Sequence, residues 1–325
     1  MQPIWKSGLI GLLLVVLLLF PFFSPSPYIV HMAILIFIWA YIATVWSFMG
    51  RFELLSLGHG AFLGLGAYTS TLLFNFYNLS PWIGMFCGGI AAALLALLIG
   101  YPCFRYKVIG DYFVLVTLAL GEIVRLVIIL FREVTGGSLG MTLRSLGTAP
   151  LYLQFTDKRY FYYITMVFWL AALYLWARLD KSMTRNALLA IGEDEVAAAS
   201  IGISVTRNKL KVTLLSAFLT ALAGALYAQY VTYLNPSTLS GVGISLQIAF
   251  MAILGGAYSF LGPTVGAAII TILSESLRVS LGGQYAGLSE MIYGALLVIF
   301  IIFLPTGVYG SLRDLLVKKL ERPAS

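Results

Sequence analysis

The chain has 325 residues, of which 60% are hydrophobic and only 10% charged, against roughly 45–50% apolar and about 25% charged in a typical soluble domain. No soluble fold of this length hides that much apolar surface, so the sequence is that of an all-α integral membrane protein. The net charge of +7 would suit a nucleic-acid partner, but the basic residues sit in short segments between apolar runs, where orientation in a bilayer accounts for them; Cys87 and Cys103 have neither metal-like spacing nor a disulfide framework.

A spanning helix needs about 20 apolar residues. In chain order the candidates are Gly8–Phe23, Tyr28–Phe48, Leu55–Phe76, Trp82–Tyr101, Tyr112–Phe131, Tyr160–Ala177, Val212–Tyr230, Ile244–Tyr258, Pro263–Leu281 and Glu290–Leu304, about ten in all. The first follows Lys6 as a signal peptide would. However, only Ser24-Pro25-Ser26-Pro27 comes after it, with no small-x-small cleavage site, so it is expected to stay as an anchor. With the N-terminus inside, Lys6, Arg51, Arg105, Lys107, Arg178, Lys181, Arg185, Arg207, Lys209, Lys211, Arg313, Lys318, Lys319 and Arg322 fall on the inner side. The outer side keeps Arg132, Arg144, Lys158 and Arg159, with Arg278 near that surface and Arg125 within a span. Such asymmetry marks the cytoplasmic face. Residues 1–325 therefore form one membrane domain with both termini cytoplasmic, a cytoplasmic segment at 180–211 and an extracytoplasmic loop at 132–159.

The segment Asp180–Lys211 is a polar island between apolar spans. Asn186 is placed to cap a short helix, Ala187–Ile191, that stops at Gly192. Glu193, Asp194 and Glu195 then open a second helix, where acidic groups suit the positive end of the helix dipole. Gly202 can take the left-handed conformation that ends it. Two Ala-rich turns are marginal alone, so this helix is expected to persist by packing, with small side chains permitting close approach.

Within the membrane, the glycine run Gly58–Gly66 lacks a Gly-Lys-Ser/Thr ending and is no nucleotide loop. Gly60 and Gly64, four apart, would let helices approach closely; the competing reading is a kinked or partly unwound segment offering backbone groups to a substrate. His59 reads as a satisfied polar residue and His31 as structural; no metal site is suggested. Glu122 and Arg125 lie three apart on one helical face, and Glu275 and Arg278 repeat that spacing. Ionisable groups at this depth are costly unless paired or wet. Each pair is thus a structural ion pair or part of a polar path, with Gln247, Ser245, Thr69 and Ser70 as further lining candidates.

Several motifs occur in a telling order. Leu55-Ser56-Leu57-Gly58-His59-Gly60-Ala61-Phe62, followed by Gly64, Gly66, Ala67 and Tyr68, resembles the third-span signature of M-type (LivM-like) permeases of branched-chain amino-acid ATP-binding-cassette importers. Gly110-Asp111-Tyr112-Phe113 with Thr117-Leu118 and Gly121-Glu122-Ile123-Val124-Arg125 resembles their next hallmark. Thr135-Gly136-Gly137-Ser138, Arg185-Asn186-Ala187, Leu254-Gly255-Gly256 and Pro305-Thr306-Gly307 also fit, so the resemblance runs from about residue 30 to 312. Glu195, Ala197, Ala198 and Gly202 are similar to the acidic-Ala-Ala-Gly signature of importer permeases generally, with Val196 set between the acid and the alanines and the glycine one position farther on.

The resemblance implies a type II-like importer permease fold in a bacterial inner membrane, with a cytoplasmic coupling helix seated in an ATPase. It further implies a second, H-type permease, two ATP-binding subunits and a soluble binding protein outside. No nucleotide motif occurs and about twenty residues follow the last span, so the energy is expected from another chain, with no cofactor of its own. Urea, short amides or other amino acids are alternative cargoes. An ion-coupled secondary transporter is disfavoured by the missing carboxylate relay. An intramembrane enzyme is disfavoured because two scattered histidines form no convergent site.

Overall fold

The computed structural model describes residues 15–23, 26–281, 291–292, 294–295 and 307–310. Its helices are α1 (15–23), α2 (Pro27–Gly50), α3 (His59–Tyr77), α4 (Pro81–Arg105), α5 (Asp111–Leu130), α6 (Arg132–Thr135), α7 (Lys158–Asp180), α8 (Met183–Glu193), α9 (Glu195–Ser200), α10 (Val205–Val231), α11 (Pro236–Leu239), α12 (Val242–Gly255) and α13 (Gly262–Leu281). Among the described residues, six stretches are long and apolar enough to cross a membrane: Pro27–Gly50, Pro81–Arg105, Asp111–Leu130, Lys158–Asp180, Val205–Val231 and Pro236–Gly255. Helices α3 and α13 have 19 and 20 residues. The expected span Glu290–Leu304 lies mostly outside the described residues, as does the start of Gly8–Phe23.

Helix α2 sits at the centre. It is apolar on every face, and such a helix belongs inside a protein; from Ile34 to Gly50 nearly every side chain is buried, against α7, α10, α12 and α13. Its entry is fixed by Pro27 at the first turn, where the missing N–H costs nothing, and by the Ser26 hydroxyl accepting from the Tyr28 amide.

Helices α3, α4 and α10 pack through small residues. A Cβ at Gly66 would collide with the Ala221 carbonyl oxygen, and one at Gly224 with the Leu63 carbonyl oxygen, so α3 and α10 cross nearly backbone to backbone. A Cβ at Gly88 would stand 3.0 Å from the Gly66 Cα, which brings α4 to the same crossing. Close approach of this kind is how spanning helices gain packing contacts without a hydrophobic driving force.

The helix ends sort into two groups. The C-terminal ends of α2 and α7 meet through Arg51 and Asp180, and Phe104 of α4 packs against Phe113 of α5, beside α8, α9 and the start of α10. At the opposite end, the loop 132–159 is a folded cap. Its two-residue strand β1 (Met141–Thr142) pairs antiparallel with β2 (Tyr233–Leu234), a small departure from the all-α expectation. Asn75 and Ser80, flanking the α3–α4 turn, hold the loop through the Thr142 and Leu151 carbonyl oxygens at 3.0 and 2.7 Å.

Several expected boundaries shift; the seventh span, expected from Val212, begins at Val205 inside the polar island. The third helix starts at His59 and not at Leu55: residues 54–58 are non-helical, held by the Trp46 indole N–H to the Ser56 carbonyl (2.9 Å) and the Leu57 amide to Thr117 Oγ1 (3.0 Å). The eighth ends at Gly255, because Gly256 turns to φ 107°. The first island helix runs Met183–Glu193, capped by Ser182 through the Arg185 amide, and continues through Gly192 where a stop was expected.

Candidate functional site

The polar island folds onto the membrane helices. Asp194, and not the three acidic residues together, caps the second short helix: its carboxylate accepts from the amides of Val196 (2.8 Å) and Ala197 (3.0 Å). These two bonds, the Ala197 one foremost, hold the Asp194 carboxyl below its ordinary range. Glu193 belongs to the last turn of α8. Gly202, at φ 90°, provides the turn that returns the chain to α10, and its amide closes on Ala199.

Glu195 does not point outward. Its Oε2 lies 2.6 Å from Lys209 Nζ on the first turns of α10, with side chains 19% and 6% exposed. Ala198 is buried beneath α9, whereas Val196 and Ile201 stand 68% and 76% exposed, with Ala197 and Ala199 also at the surface. Val196, which interrupts the sequence signature, is therefore the protruding side chain of this helix. A second tie holds α8: Asp180 Oδ1 bonds both Arg51 Nη1 (3.3 Å) and Arg185 Nε (3.0 Å), and the Arg51 guanidinium lies 4.2 Å from the Trp176 ring centroid.

In the membrane region, the sequence candidates fall in three places. Gly60, Gly64, Glu122 and Arg125 come together around the start of α12. The Gly60 amide donates to Ser245 Oγ at 2.9 Å, and a Cβ at Gly64 would collide with Ser240 Oγ. Glu122 bonds Arg125 at 2.7–2.8 Å and its other oxygen accepts from the Val242 amide at 3.3 Å, so it also caps α12. About a third of each side chain is exposed, 27% for Arg125 and 33% for Glu122. A Cβ at Gly58 would meet the Thr117 carbonyl, which packs the unwound segment 54–58 against α5.

His59 faces the other way. Its Nε2 lies 2.8 Å from Ser216 Oγ, which in turn donates to the Val45 carbonyl, so it ties α3 to α10 and α2 and is fully buried. Glu275 and Arg278 pair at 2.6 Å on α13, which packs against α2 and α12 and not with the α5 cluster. Thr69 and Gln247 are half-buried on α3 and α12, without a side-chain hydrogen bond among the described residues.

Three contributors had little sequence signal. Lys209 and Ser216 are long-range partners of Glu195 and His59. Gln229, near the end of α10, is 2% exposed with both Nε2 and Oε1 unpartnered. A polar group so placed costs about 1–3 kcal/mol.

The profile of the family described as branched-chain amino acid transport system / permease component matches residues 28–301. The chain is 29% identical over 293 residues to the high-affinity branched-chain amino acid transport system permease protein LivM of Salmonella typhimurium, covering 83% of this chain and 67% of that one. It is 27% identical to the probable branched-chain amino acid transport permease protein LivH of Methanocaldococcus jannaschii, over 82% and 85% of the two chains. A nucleoside ABC transporter permease protein, NupC of Lactococcus lactis, is 26% identical over 75% and 79%. No solved structure matches.

Proposed function

The chain belongs to the branched-chain amino acid transport permease family, and from that premise we propose that it is a membrane-spanning subunit of an ATP-driven importer of aliphatic amino acids. The observation that carries this is the family match from residue 28 to 301, which takes in α2 to α13. The complete unit would contain about ten spans in a bacterial inner membrane, with both termini and the island in the cytoplasm. Its partners would be a second, H-type permease, two ATP-binding subunits and a soluble binding protein outside.

The exposed ridge of Val196, Ala197 and Ile201 supports a coupling role for α9, since solvent-facing apolar side chains of this size fit a partner's cleft. Glu195–Lys209 and the Arg51–Asp180–Arg185 set would transmit a push on the island to α10, α2 and α7. The face of α3, α5 and α12 around Gly60, Gly64, Glu122 and Arg125, with Thr69 and Gln247, would line the path. A third-exposed ion pair at this depth must face protein or water and not lipid. His59, Glu275 and Arg278 would support the path from behind. A zwitterion with an aliphatic side chain needs little more than backbone dipoles and an apolar route.

The similarity to the Lactococcus nucleoside transporter permease favours a second reading, in which the cargo is a nucleoside. Reconstitution of the chain with its permease partner, ATPases and binding protein, followed by uptake of leucine and of uridine, decides between them. ATP-dependent leucine uptake is the expected result. Uptake by the chain alone, driven by a proton or sodium gradient, would overturn the importer reading.

A further inference from the structure

A groove of about 470 Å³ opens at the island's end of the molecule, where the last turns of α4 run beside the first turns of α10. Tyr101 forms its α4 wall, and Arg207, Leu210, Lys211 and Leu214 its α10 wall. Behind it the two helices touch, since a Cβ at Gly100 would stand 3.3 Å from Leu210 Cδ2. Arg207 and Lys211 are four apart and therefore neighbours on one face of α10, with Leu214 next along that face.

Four cations gather here. An adjoining cavity shares Ser204 and Thr206 with the groove and brings Arg105 and Lys107 beside it. All four cationic side chains are exposed, and none forms an ion pair among the described residues. No carboxylate lines the groove, and the one lining the adjoining cavity, Glu195, is already bonded to Lys209. Orientation in a bilayer asks for cations on one side of the membrane. It does not ask for them at the foot of an apolar track.

That track runs along α4. Phe86, Ile90, Leu94, Leu98 and Tyr101 are each more than half exposed, and their spacing of four, four, four and three sets them in one stripe. Arg105, four residues beyond Tyr101, ends it. At 1.5 Å per residue, Ile90 to Tyr101 covers about 16 Å, close to one leaflet of a hydrocarbon core about 30 Å thick. An apolar stripe one leaflet long, with a carboxylate-free cationic groove at its foot and a tyrosine at the junction, has the shape and charge of a lipid site.

We propose that this groove is a binding site for an anionic phospholipid. The phosphate rests between Arg207 and Lys211 with Arg105 and Lys107 alongside, the glycerol lies against Tyr101, and an acyl chain follows the α4 stripe. The adjoining cavity reaches Val196 and Ala199 of α9, so a lipid held here braces the foot of α10 on which α9 is seated. The site goes beyond the transport reading and requires only that α4 spans a bilayer.

The test uses the assembled importer, delipidated in detergent and titrated with cardiolipin or with phosphatidylcholine of matched acyl chains, with bound lipid counted by native mass spectrometry. Cardiolipin should bind at least about tenfold more tightly. Arg207→Gln with Lys211→Gln should weaken cardiolipin about thirtyfold, at about fivefold for each charge, and leave phosphatidylcholine nearly unchanged. Lys211→Gln alone, with its fivefold loss, serves if the double variant does not assemble. Lys158→Gln, the same loss of charge at the opposite end, should change neither lipid. Equal affinity for the two lipids overturns the site, as does a preference undiminished in the variants. Displacement of cardiolipin by millimolar inorganic phosphate would assign the groove to a free anion and overturn the lipid. A preference shown by the chain alone but lost in the assembled importer would mean that a neighbouring permease covers the groove, which also overturns it. None of these outcomes bears on which solute is carried.

Discussion

Lys209 reaches back fourteen residues to Glu195, Nζ to Oε2 at 2.6 Å, and pins the short helix α9 to the foot of α10. The lysine is almost wholly buried and the glutamate mostly so. Removing one partner of a buried ion pair typically costs about 3–5 kcal/mol, because the other charge is left behind, whereas replacing both is often neutral. Lys209→Met alone should therefore unseat α9 and reduce co-purification of the ATPase. Adding Glu195→Gln should recover much of that loss, with a coupling energy of about 0.5–3 kcal/mol. Additive losses in this double-mutant cycle, read by thermal unfolding and ATPase pull-down, would mean the pair does not hold the helix.

Asp194 makes a separate prediction about pH. Its carboxylate caps α9 through the Ala197 and Val196 amides, which lowers its pKa from the ordinary 3.8. A group whose folded pKa is depressed contributes stability above its unfolded pKa, and that contribution is lost as pH falls through the folded value. The cap should thus be fully present from pH 5 to 8, and ATPase association should not vary there on its account. Asp194→Asn should preserve association, since Asn caps as well as Asp, whereas Asp194→Ala should weaken it. A titration of pull-down yield near pH 6 that vanished in Asp194→Asn would contradict this.

The crossing of α3 and α10 predicts unequal effects for two glycines of one motif. At Gly66 an added methyl meets three Ala221 backbone atoms within 2.6 Å, which cannot rotate away; at Gly64 its worst contact is the Ser240 hydroxyl, which can, leaving the Ser240 Cβ at 2.9 Å. Overpacking a well-filled interface costs about 1–3 kcal/mol. Gly66→Ala should fall at or beyond the top of that range and Gly64→Ala near the bottom, measured as unfolding temperature in detergent. The reverse order would mean that the backbones do not approach as described.

What the sequence made legible follows from physics that acts locally. Apolar run length located α2, α4, α5, α7 and α10, and spacing of three placed Glu122 beside Arg125. The existence of the island's two helices was visible from its sequence, but the caps were not, nor the passage of the first helix through Gly192. Ser182 and Asn186 both suit a cap, and only the fold of α7 onto α8 favours the first. The unwound segment 54–58 was invisible for a different reason. Leu55-Ser56-Leu57 is compatible with a helix, and it is Trp46 and Thr117, distant in sequence, that hold its backbone open. Lys209 and Gln229 belong to the same class: their significance lies in partners present or missing across the bundle.

The Glu122–Arg125 pair allows structure and transport to be separated. Arg125→Met leaves a carboxylate at membrane depth, where an unpaired charge costs about 2.5–3.5 kcal/mol on insertion scales. Glu122→Gln keeps an acceptor for the Val242 amide while removing the charge. The double variant should therefore be more stable than Arg125→Met alone, and close to wild type in unfolding temperature. Its leucine uptake then discriminates. Uptake that returns with stability would make the pair a structural tie between α5 and α12. Uptake that stays low in a stable double variant, through a lower maximal rate, places the pair in the moving path, and the partial exposure of both side chains, 27% and 33%, favours that outcome.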